Sequence, residues 1–314
     1  MDAISHALIG LTVAGLSGQQ LSLGDPVYIA TLLGSQAPDF DIIAQMRGSF
    51  SYIKQHRSSS HSLLGLGIWS LLIASGIQLF TPQVHFSISF LWAFAGGLSH
   101  IVADYLNTHG TALFWPYKKE RKSCKLLNVF DPILLILMLG ILLLKLPPLT
   151  HSLVTLLTCG VYIIARLYLR YRAKNWLKHQ FSEQQISNIA LMPSLKRILF
   201  WDFVIETAES FIVGKIGALY PMIEVKMSLP KNQHSSYATV EAQKTIIGDF
   251  FTNFSPLIYF EETYDDHFLS VNIYDLRYFI NQQFRHSATI IFNKDYIPVD
   301  SYMLSYGRKI KIPC

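Results

Sequence analysis

The sequence predicts an α-helical membrane bundle with about four full spans, preceded by a short N-terminal helical hairpin and followed by a small, mainly β cytoplasmic domain. Three observations predict this fold class. The 314 residues are 51% hydrophobic and only 15% charged, with a mean hydropathy of +0.30, which is too apolar for an average soluble protein. Long apolar runs stop near residue 172, and short alternating segments rich in Phe, Tyr, Val and Ile follow. Basic residues gather at the ends of the apolar runs.

The apolar runs define a predicted membrane domain, residues 1–172. A hydrocarbon core about 30 Å thick needs roughly 20 helical residues. Two shorter runs, 3–16 and 27–36, would form the hairpin. The runs that approach full length are 62–80, 87–104, 132–146 and 149–169. A cleaved signal peptide is the rival interpretation of the start, but the leading residues carry Asp2 and no Lys or Arg, which is the wrong flank for one.

The basic connections orient the predicted domain. Lys and Arg occur in 37–61, in 105–131 and directly after the last span, whereas 81–86 and 147–148 hold none. The positive-inside rule therefore places the basic connections and the C-terminal region in the cytoplasm. The basic run 118–125 is typical of a surface that contacts anionic membrane lipids. The modest formal charge of +5, without aromatic-interleaved basic stripes, argues against nucleic acid as a partner.

The rest of the chain divides into a predicted linker helix, 173–195, and a mainly β domain, 196–314. Strand-like alternation occurs in 197–220, 267–280 and 287–299, with Asn, Asp, Gly and Pro turns between them. The three cysteines are far apart in sequence and lack metal-type pairing, so they indicate neither a disulfide framework nor a zinc ribbon.

Residues of metal-ligand type collect at one predicted depth, near the cytoplasmic ends of the apolar segments. An ionisable group in or near hydrocarbon is by default a functional hypothesis. His100 and Asp104 are four residues apart, so on a helix they share a face and could hold one cation. The His and Asp residues of the set are His6, Asp39, Asp41, His56, His61, His100, Asp104, His109 and Asp131, and Arg57 lies among them.

The chemistry of this set points to a transition-type metal. His and Asp ligands suit zinc, manganese or iron better than calcium, which prefers oxygen ligands alone. Such an ion could lower the pKa of a bound water toward about 7 and polarise a phosphoryl or carbonyl oxygen. Arg57 could clamp an anionic group. Structural interpretations also exist: His6 alone could be a packing residue, Arg57 a topology determinant, and Asp131 before Pro132 a helix start.

Several motifs together resemble the bacterial membrane-bound metal-dependent hydrolase family, the inner-membrane group that includes LexA-regulated members. The motifs are HALIG at 6–10, GSQAPDFD at 34–41, HRSSSHS at 56–62, GGLSHIVADYLNTHG at 96–110 and FDP at 130–132. The resemblance covers about residues 1–140 and does not extend to the β region. That family is in turn remotely similar to zinc-dependent phospholipase C and the P1-type nucleases, helical enzymes that cleave phosphoester bonds with His and Asp metal ligands.

The resemblance implies a metal-dependent hydrolase of the inner membrane that acts on a phosphoester of a lipid or lipid-linked substrate. It implies one or two divalent ions, with zinc as the expected metal and manganese or iron as alternatives. A non-enzymatic membrane scaffold and a transporter-like protein stay open as other functions. The implied metal ligands are Asp39, His61, His100 and Asp104, with His6 bridging toward a second ion and with His56 and Asp131 as additional candidates. The implied catalytic residues are Asp41 or His109 as general base or acid, and Arg57 as the holder of substrate charge.

Overall fold

The structure is a computed structural model of the chain, and the residues it describes are 1–22, 24–41, 48, 50, 57–118, 120–231, 236–265, 268–305 and 307–314. The chain divides into two compact units, Met1–Tyr168 and Leu169–Cys314. Among the described residues, the first unit is helical and the second holds the β-strands. A helical N-terminal region followed by a mainly β region is the order that the sequence predicts.

The helices of the N-terminal unit start at residues suited to capping. Asp2, Asp25, Ser62 and Asp131 each accept a backbone N–H of the helix that follows, which satisfies a donor that helix geometry leaves unpaired. The 3₁₀ turns Gly15–Ser17 and Ser59–His61 lie between them. The helices are α1 (Ala3–Ala14), α2 (Pro26–Gln36), α3 (Leu63–Phe80), α4 (Phe86–Leu106), α5 (Pro132–Leu142) and α6 (Pro148–Gln180), which runs across the division between the units.

Among the described residues, three helices rather than the expected four are long and apolar enough to cross a membrane, namely α3, α4 and α6. The stretch 132–146 forms only α5, which has 11 residues. At 1.5 Å per residue such a helix is about 16 Å long, half the thickness of a hydrocarbon core. The helix ends at Leu142, and Pro147 disfavours helical backbone in the residue before it, Leu146, so the apolar run does not continue as one helix into α6. Pro148 then begins α6.

Glycines allow α2 and α4 to pack at close range. A Cβ at Gly34 would overlap the backbone of Ala93, and one at Gly96 would overlap the backbone of Thr31. Only a residue without a side chain fits at these two positions. The last turn of α2 therefore lies against the half of α4 that carries His100.

The strands of the C-terminal unit form two antiparallel sheets and a small hairpin. The first sheet follows chain order, β1 (Ile186–Pro193), β2 (Phe200–Thr207), β3 (Ser210–Gly217) and β4 (Ile223–Pro230). The second has the order β11-β10-β9-β6-β5, and its strands are β5 (Ile258–Tyr264), β6 (Leu269–Asp275), β9 (His286–Phe292), β10 (Pro298–Ser305) and β11 (Arg308–Ile312). The hairpin pairs β7 (Phe279–Ile280) with β8 (Gln283–Phe284).

Residues from both sheets enclose one hydrophobic core of this unit. Val204 and Val213 of the first sheet pack in one cluster with Tyr259 of β5, with Leu257 just before β5 and with Leu276 just after β6. Two helices, α7 (Tyr237–Lys244) and α8 (Ile246–Phe254), precede the second sheet.

The predicted linker helix, 173–195, is helical only as far as Gln180. Its second half forms β1, which pairs with β2 from Ile186 opposite Thr207 to Pro193 opposite Trp201. The residues SNIALMP, 187–193, predict a strand only weakly from their local sequence. Strand formation depends largely on cross-strand neighbours, which only the folded sheet supplies. The sequence analysis also did not predict α7 and α8, which lie outside the strand-like segments.

Candidate metal centre

Four side chains of the N-terminal unit converge on one point. Asp39, His61, His100 and Asp104 each offer a ligand atom, and these atoms all lie within 4.8 Å of one another. Asp39 follows α2, His61 ends the turn before α3, and His100 and Asp104 share one face of α4. Three of the side chains are fully buried, and that of Asp39 is 29% exposed. The structure thus brings together the four residues that the sequence analysis named as main metal ligands.

The separations within this cluster fit a tetrahedral ion. His61 Nε2 and His100 Nε2 are 3.1 Å apart. Asp39 Oδ1 lies 3.4 Å and 3.6 Å from these two nitrogens, and Asp104 Oδ2 lies 3.4 Å and 3.8 Å from them. Two ligand atoms at zinc distances of about 2.0–2.1 Å in a tetrahedral site are roughly 3.3–3.4 Å apart. These five separations are therefore near the spacing that zinc requires, and the ligand atoms of Asp39 and Asp104 lie within 4.8 Å of each other.

Hydrogen bonds behind both imidazoles fix which nitrogen faces the cluster. His100 Nδ1 lies 2.7 Å from the carbonyl oxygen of Ser35, so it carries the proton and donates. The Ser60 hydroxyl donates to Asp41 Oδ2 at 2.8 Å and therefore accepts from His61 Nδ1 at 2.9 Å. Both Nε2 atoms then point unprotonated lone pairs at each other. Such a pair is repulsive when empty and becomes favourable when the two nitrogens share a cation, as metal-ligating histidines do.

The two carboxylate oxygens of Asp104 have different surroundings. Oδ1 accepts hydrogen bonds from the Met1 amino group and from Asn107 Nδ2, the latter at 2.8 Å. Oδ2 is buried and accepts no hydrogen bond from the described residues, although Arg57 Nε is 3.2 Å away. The ion pair with Arg57 offsets part of the cost of burying this oxygen, and no hydrogen bond from the described residues offsets the rest. The chemistry of a metal ligand fits this oxygen.

Arg57 is held at the edge of the cluster in a strained backbone conformation. Its φ is +63°, in the left-handed region that non-glycine residues rarely adopt. Its N–H donates to Asp41 Oδ2 at 3.2 Å, and its carbonyl accepts from the N–H of Ala112 at 3.2 Å. The guanidinium donates through Nη1 to Asn107 Oδ1 at 2.9 Å. These contacts fix a permanent positive charge beside the Asp104 carboxylate.

His6 and Asp41 lie next to the four-residue cluster. The ring of His6 stacks on that of His100 with centroids 3.6 Å apart, and its Nε2 is 3.4 Å from Asp104 Oδ1. Asp41 Oδ2 is 3.7 Å from His61 Nδ1, on the side of the ring away from the cluster. His6 thus reaches the second oxygen of Asp104, and Asp41 contacts His61 from behind.

The remaining predicted residues are not among the four convergent ligands, and one of them lies outside the described residues. The N–H of His109 donates to Asn107 Oδ1 at 2.9 Å. Asp131 caps α5 by accepting from the N–H of Leu134 at 3.1 Å, and both its oxygens accept from the Tyr162 hydroxyl at 3.0 Å. This capping is the structural interpretation of Asp131 considered in the sequence analysis. His56 lies outside the described residues.

The sequence analysis missed the residues that orient the predicted ligands. These are Ser35, Ser60 and Asn107, which contact His100, His61 and Asp104 respectively. All three lie inside the quoted motifs, Ser35 in GSQAPDFD, Ser60 in HRSSSHS and Asn107 in GGLSHIVADYLNTHG. Ser35 acts through its backbone carbonyl, which leaves no signal in the sequence.

Comparison with known proteins agrees with this architecture. Residues 1–173, more than half of the chain, match the family described as YdjM inner membrane protein. Residues 238–307 match the YfhP C-terminal alpha/beta plait domain. The chain is 29% identical over 290 residues to the Bacillus subtilis (strain 168) protein named "Uncharacterized protein YfhP", covering 88% of this chain and 87% of that relative. No solved structure matches. The chain therefore belongs to the YdjM family of bacterial inner-membrane proteins, with a mainly β alpha/beta plait domain after its helical region.

Proposed function

We propose that this protein is a membrane-bound, metal-dependent hydrolase that cleaves a phosphoester of a lipid or lipid-linked substrate at the cytoplasmic face of the inner membrane. The observation that carries the proposal is the pair of buried nitrogens, His61 Nε2 and His100 Nε2, which face each other at 3.1 Å. Both rings are fixed from behind by Ser60 and by the Ser35 carbonyl. Two neutral imidazoles in this arrangement, with carboxylates beside them, are a donor set for zinc, with manganese or iron as alternatives.

The residues around this donor set have separable roles in the proposal. Asp39, His61, His100 and Asp104 hold the ion, and His6 extends the site toward a second ion through Asp104 Oδ1. A bound divalent ion would supply a polarised phosphoryl oxygen and a water of lowered pKa. Asp39 is the partly exposed member, so we assign the approach of the attacking water to its side.

Asp41, Arg57 and His109 act around the ion in this proposal. Asp41 is a positioning residue, because it contacts the Nδ1 side of His61 through Ser60. Arg57 balances the carboxylate charge and attracts the phosphate anion. His109 lies on the segment after α4, beside Asn107, and is our candidate for proton transfer to the leaving group.

The orientation in the proposal follows from the basic residues near the cluster. The segment after α4 carries Lys118, Arg121, Lys122 and Lys125, at the helix end where His100 and Asp104 lie. The positive-inside rule places that end on the cytoplasmic side, and Arg170, Arg172 and Lys174 in the second half of α6 favour the same side for the domain that follows. The chain between α4 and α6 would then cross as well, through α5 together with residues 143–147. A phosphoester headgroup at the membrane surface would then lie at the depth of the cluster.

Metal analysis of the purified protein tests this proposal. We expect near-stoichiometric zinc, manganese or iron in the wild type, and loss of both metal and phosphoester hydrolysis in His100→Ala and Asp104→Ala. His85→Ala is the matched control, because His85 is an exposed histidine at the opposite end of the same helix. Inductively coupled plasma mass spectrometry in mild detergent gives the metal content, and a panel of phosphoesters gives the activity. Equal metal in the wild type and in His100→Ala would contradict the proposal.

A further inference from the structure

An apolar cavity of about 410 Å³ lies within the N-terminal unit, between α1, α4, α5 and α6. Its volume falls in the range of small-molecule sites, about 300–1,000 Å³. None of the described residues that line it has a carboxylate, ammonium or guanidinium side chain. The three hydroxyl side chains in the lining are turned to their own helices: Thr12 donates to Leu8, Ser99 to Gly96 and Thr155 to His151, each through a backbone carbonyl at 2.6–2.9 Å. The cavity therefore offers hydrocarbon contacts and few hydrogen bonds.

One end of this cavity adjoins the candidate metal centre. Ser99 and Ala103 line it, and they directly precede His100 and Asp104 on α4. Met1 also lines it, and the Met1 amino group donates to Asp104 Oδ1. A molecule in the cavity would thus have one end beside the four convergent ligands and the rest among apolar side chains.

The cavity is open sideways between α4 and α6. Leu98 and Val102 of α4 and Leu156 of α6 line it, and these side chains are 39%, 51% and 39% exposed. Both helices are long and apolar enough to cross a membrane, so this opening would face hydrocarbon. A water-soluble ligand gains little from such an entrance, whereas an acyl chain can enter it from the bilayer without crossing water.

We propose that this cavity binds one acyl chain of a lipid phosphoester and thereby places the phosphate of that lipid at the cluster of Asp39, His61, His100 and Asp104. The inference rests on the proposed function for the fate of the phosphate, and it adds the substrate class, an acyl-chain lipid with an anionic phosphoester headgroup. A second chain of the same lipid would stay in the bilayer beyond the lateral opening.

Filling the cavity from Gly160 tests the inference. Gly160 of α6 lines the cavity, and a Cβ built there meets nothing within 4 Å, so a larger side chain enters without a backbone clash. Gly140 of α5 also has open space around its Cβ, but it does not line the cavity and provides the matched control. The series Gly160→Ala, Gly160→Val and Gly160→Phe grades the filling, with Gly140→Phe beside it.

The probes are hexanoyl and oleoyl lysophosphatidic acid, titrated into the detergent-purified full chain and followed by native mass spectrometry. We expect the wild type and Gly140→Phe to bind the oleoyl lipid more tightly than the hexanoyl lipid. In the Gly160 series the affinity for the oleoyl lipid should fall with side-chain size, by about tenfold for Gly160→Phe, since about two buried methylene groups then lose their contacts. Equal chain-length dependence in Gly160→Phe and Gly140→Phe would overturn the inference.

The same experiment separates failure of this inference from failure of the proposed function. If metal and hydrolysis are present but filling the cavity leaves chain-length dependence unchanged, the acyl-chain site is wrong and the hydrolase proposal stands. If the cavity binds the oleoyl lipid as expected but the protein holds no metal, the lipid site stands and the hydrolase proposal fails. Circular dichroism and thermal stability retained in every Gly160 variant show that the series reports filling of the cavity and not unfolding.

Discussion

The hydroxyl of Ser60 links the imidazole of His61 to Asp41, and its removal tests whether the cluster was built to hold a metal. Ser60 Oγ lies 2.9 Å from His61 Nδ1 and donates to Asp41 Oδ2 at 2.8 Å. In Ser60→Ala the Nδ1–H loses its acceptor, and the ring loses the contact that points Nε2 at His100. Ser60 itself offers no ligand to the cluster. Any loss of metal affinity must therefore act through the orientation of His61.

The expected size of this loss follows from the geometry. Removing a partner behind a metal-ligating histidine costs about 10–100-fold in metal affinity, or about 1.4–2.7 kcal/mol. Asp41 Oδ2 is 3.7 Å from the same nitrogen and can replace the hydroxyl in part after a small shift. We therefore expect the lower end of the range, about a tenfold weaker zinc affinity, or about 1.4 kcal/mol.

The assay is competition for zinc between the detergent-purified protein and a chromophoric chelator. Ser59→Ala is the matched control, because Ser59 is the preceding residue, is exposed and contributes no side-chain ligand to the cluster. It should bind zinc as the wild type does. If Ser60→Ala and Ser59→Ala bind zinc with the same affinity, the hydrogen bond does not orient His61 for a metal, and the reasoning from the two fixed imidazoles fails.

Two further predictions concern the close helix contact and the C-terminal unit. In Gly96→Ala the added Cβ overlaps the Thr31 backbone, so α2 and α4 must separate, and the hydrogen bond from His100 Nδ1 to the Ser35 carbonyl is weakened. We therefore expect lower thermal stability and lower zinc content than in the wild type. Unchanged stability and zinc content would contradict the packing argument. Burial lowers the pKa of His286 from its ordinary 6.5 to about 4, so the folded unit binds a proton at this ring less readily than the unfolded chain does. The free energy of unfolding should therefore fall by roughly 3 kcal/mol as the pH drops from above 6.5 toward 4. Hydrogen exchange over β9 peptides measures this loss, which His286→Gln should reduce; an equal loss in that variant would refute the assignment.

The candidate ligands could be named from the sequence because their signals are local. His100 and Asp104 are four residues apart in an apolar helix, and because an ionisable residue in such a place costs free energy, it is by default a functional hypothesis. Asp39 and His61 belong to short motifs at the ends of neighbouring apolar segments. The helical N-terminal region and the mainly β C-terminal region were equally visible, since hydropathy and alternation are properties of consecutive residues.

Elements that depend on distant partners were not predictable in the same way. The strand β1 is stabilised by pairing with β2, and its residues were assigned to a linker. The helix α5 ends at Leu142, whereas the apolar residues continue to Leu146, and a hydropathy profile does not show where a helix ends within an apolar run. Both differences arise because local composition does not show at which residue a helix ends or with which strand a segment pairs.

By itself the sequence determined which residues offer metal-ligand chemistry and that they lie near the ends of apolar helices. Only the tertiary structure decided that Asp39, His61, His100 and Asp104 meet, because their meeting requires α2 and α4 to approach closely at Gly34 and Gly96. It also decided which nitrogen each histidine presents, through Ser60 and the Ser35 carbonyl. The physical reason is that ligand identity is a property of single residues, whereas a coordination geometry of a few ångströms is a property of packed helices and of the hydrogen bonds behind each ligand.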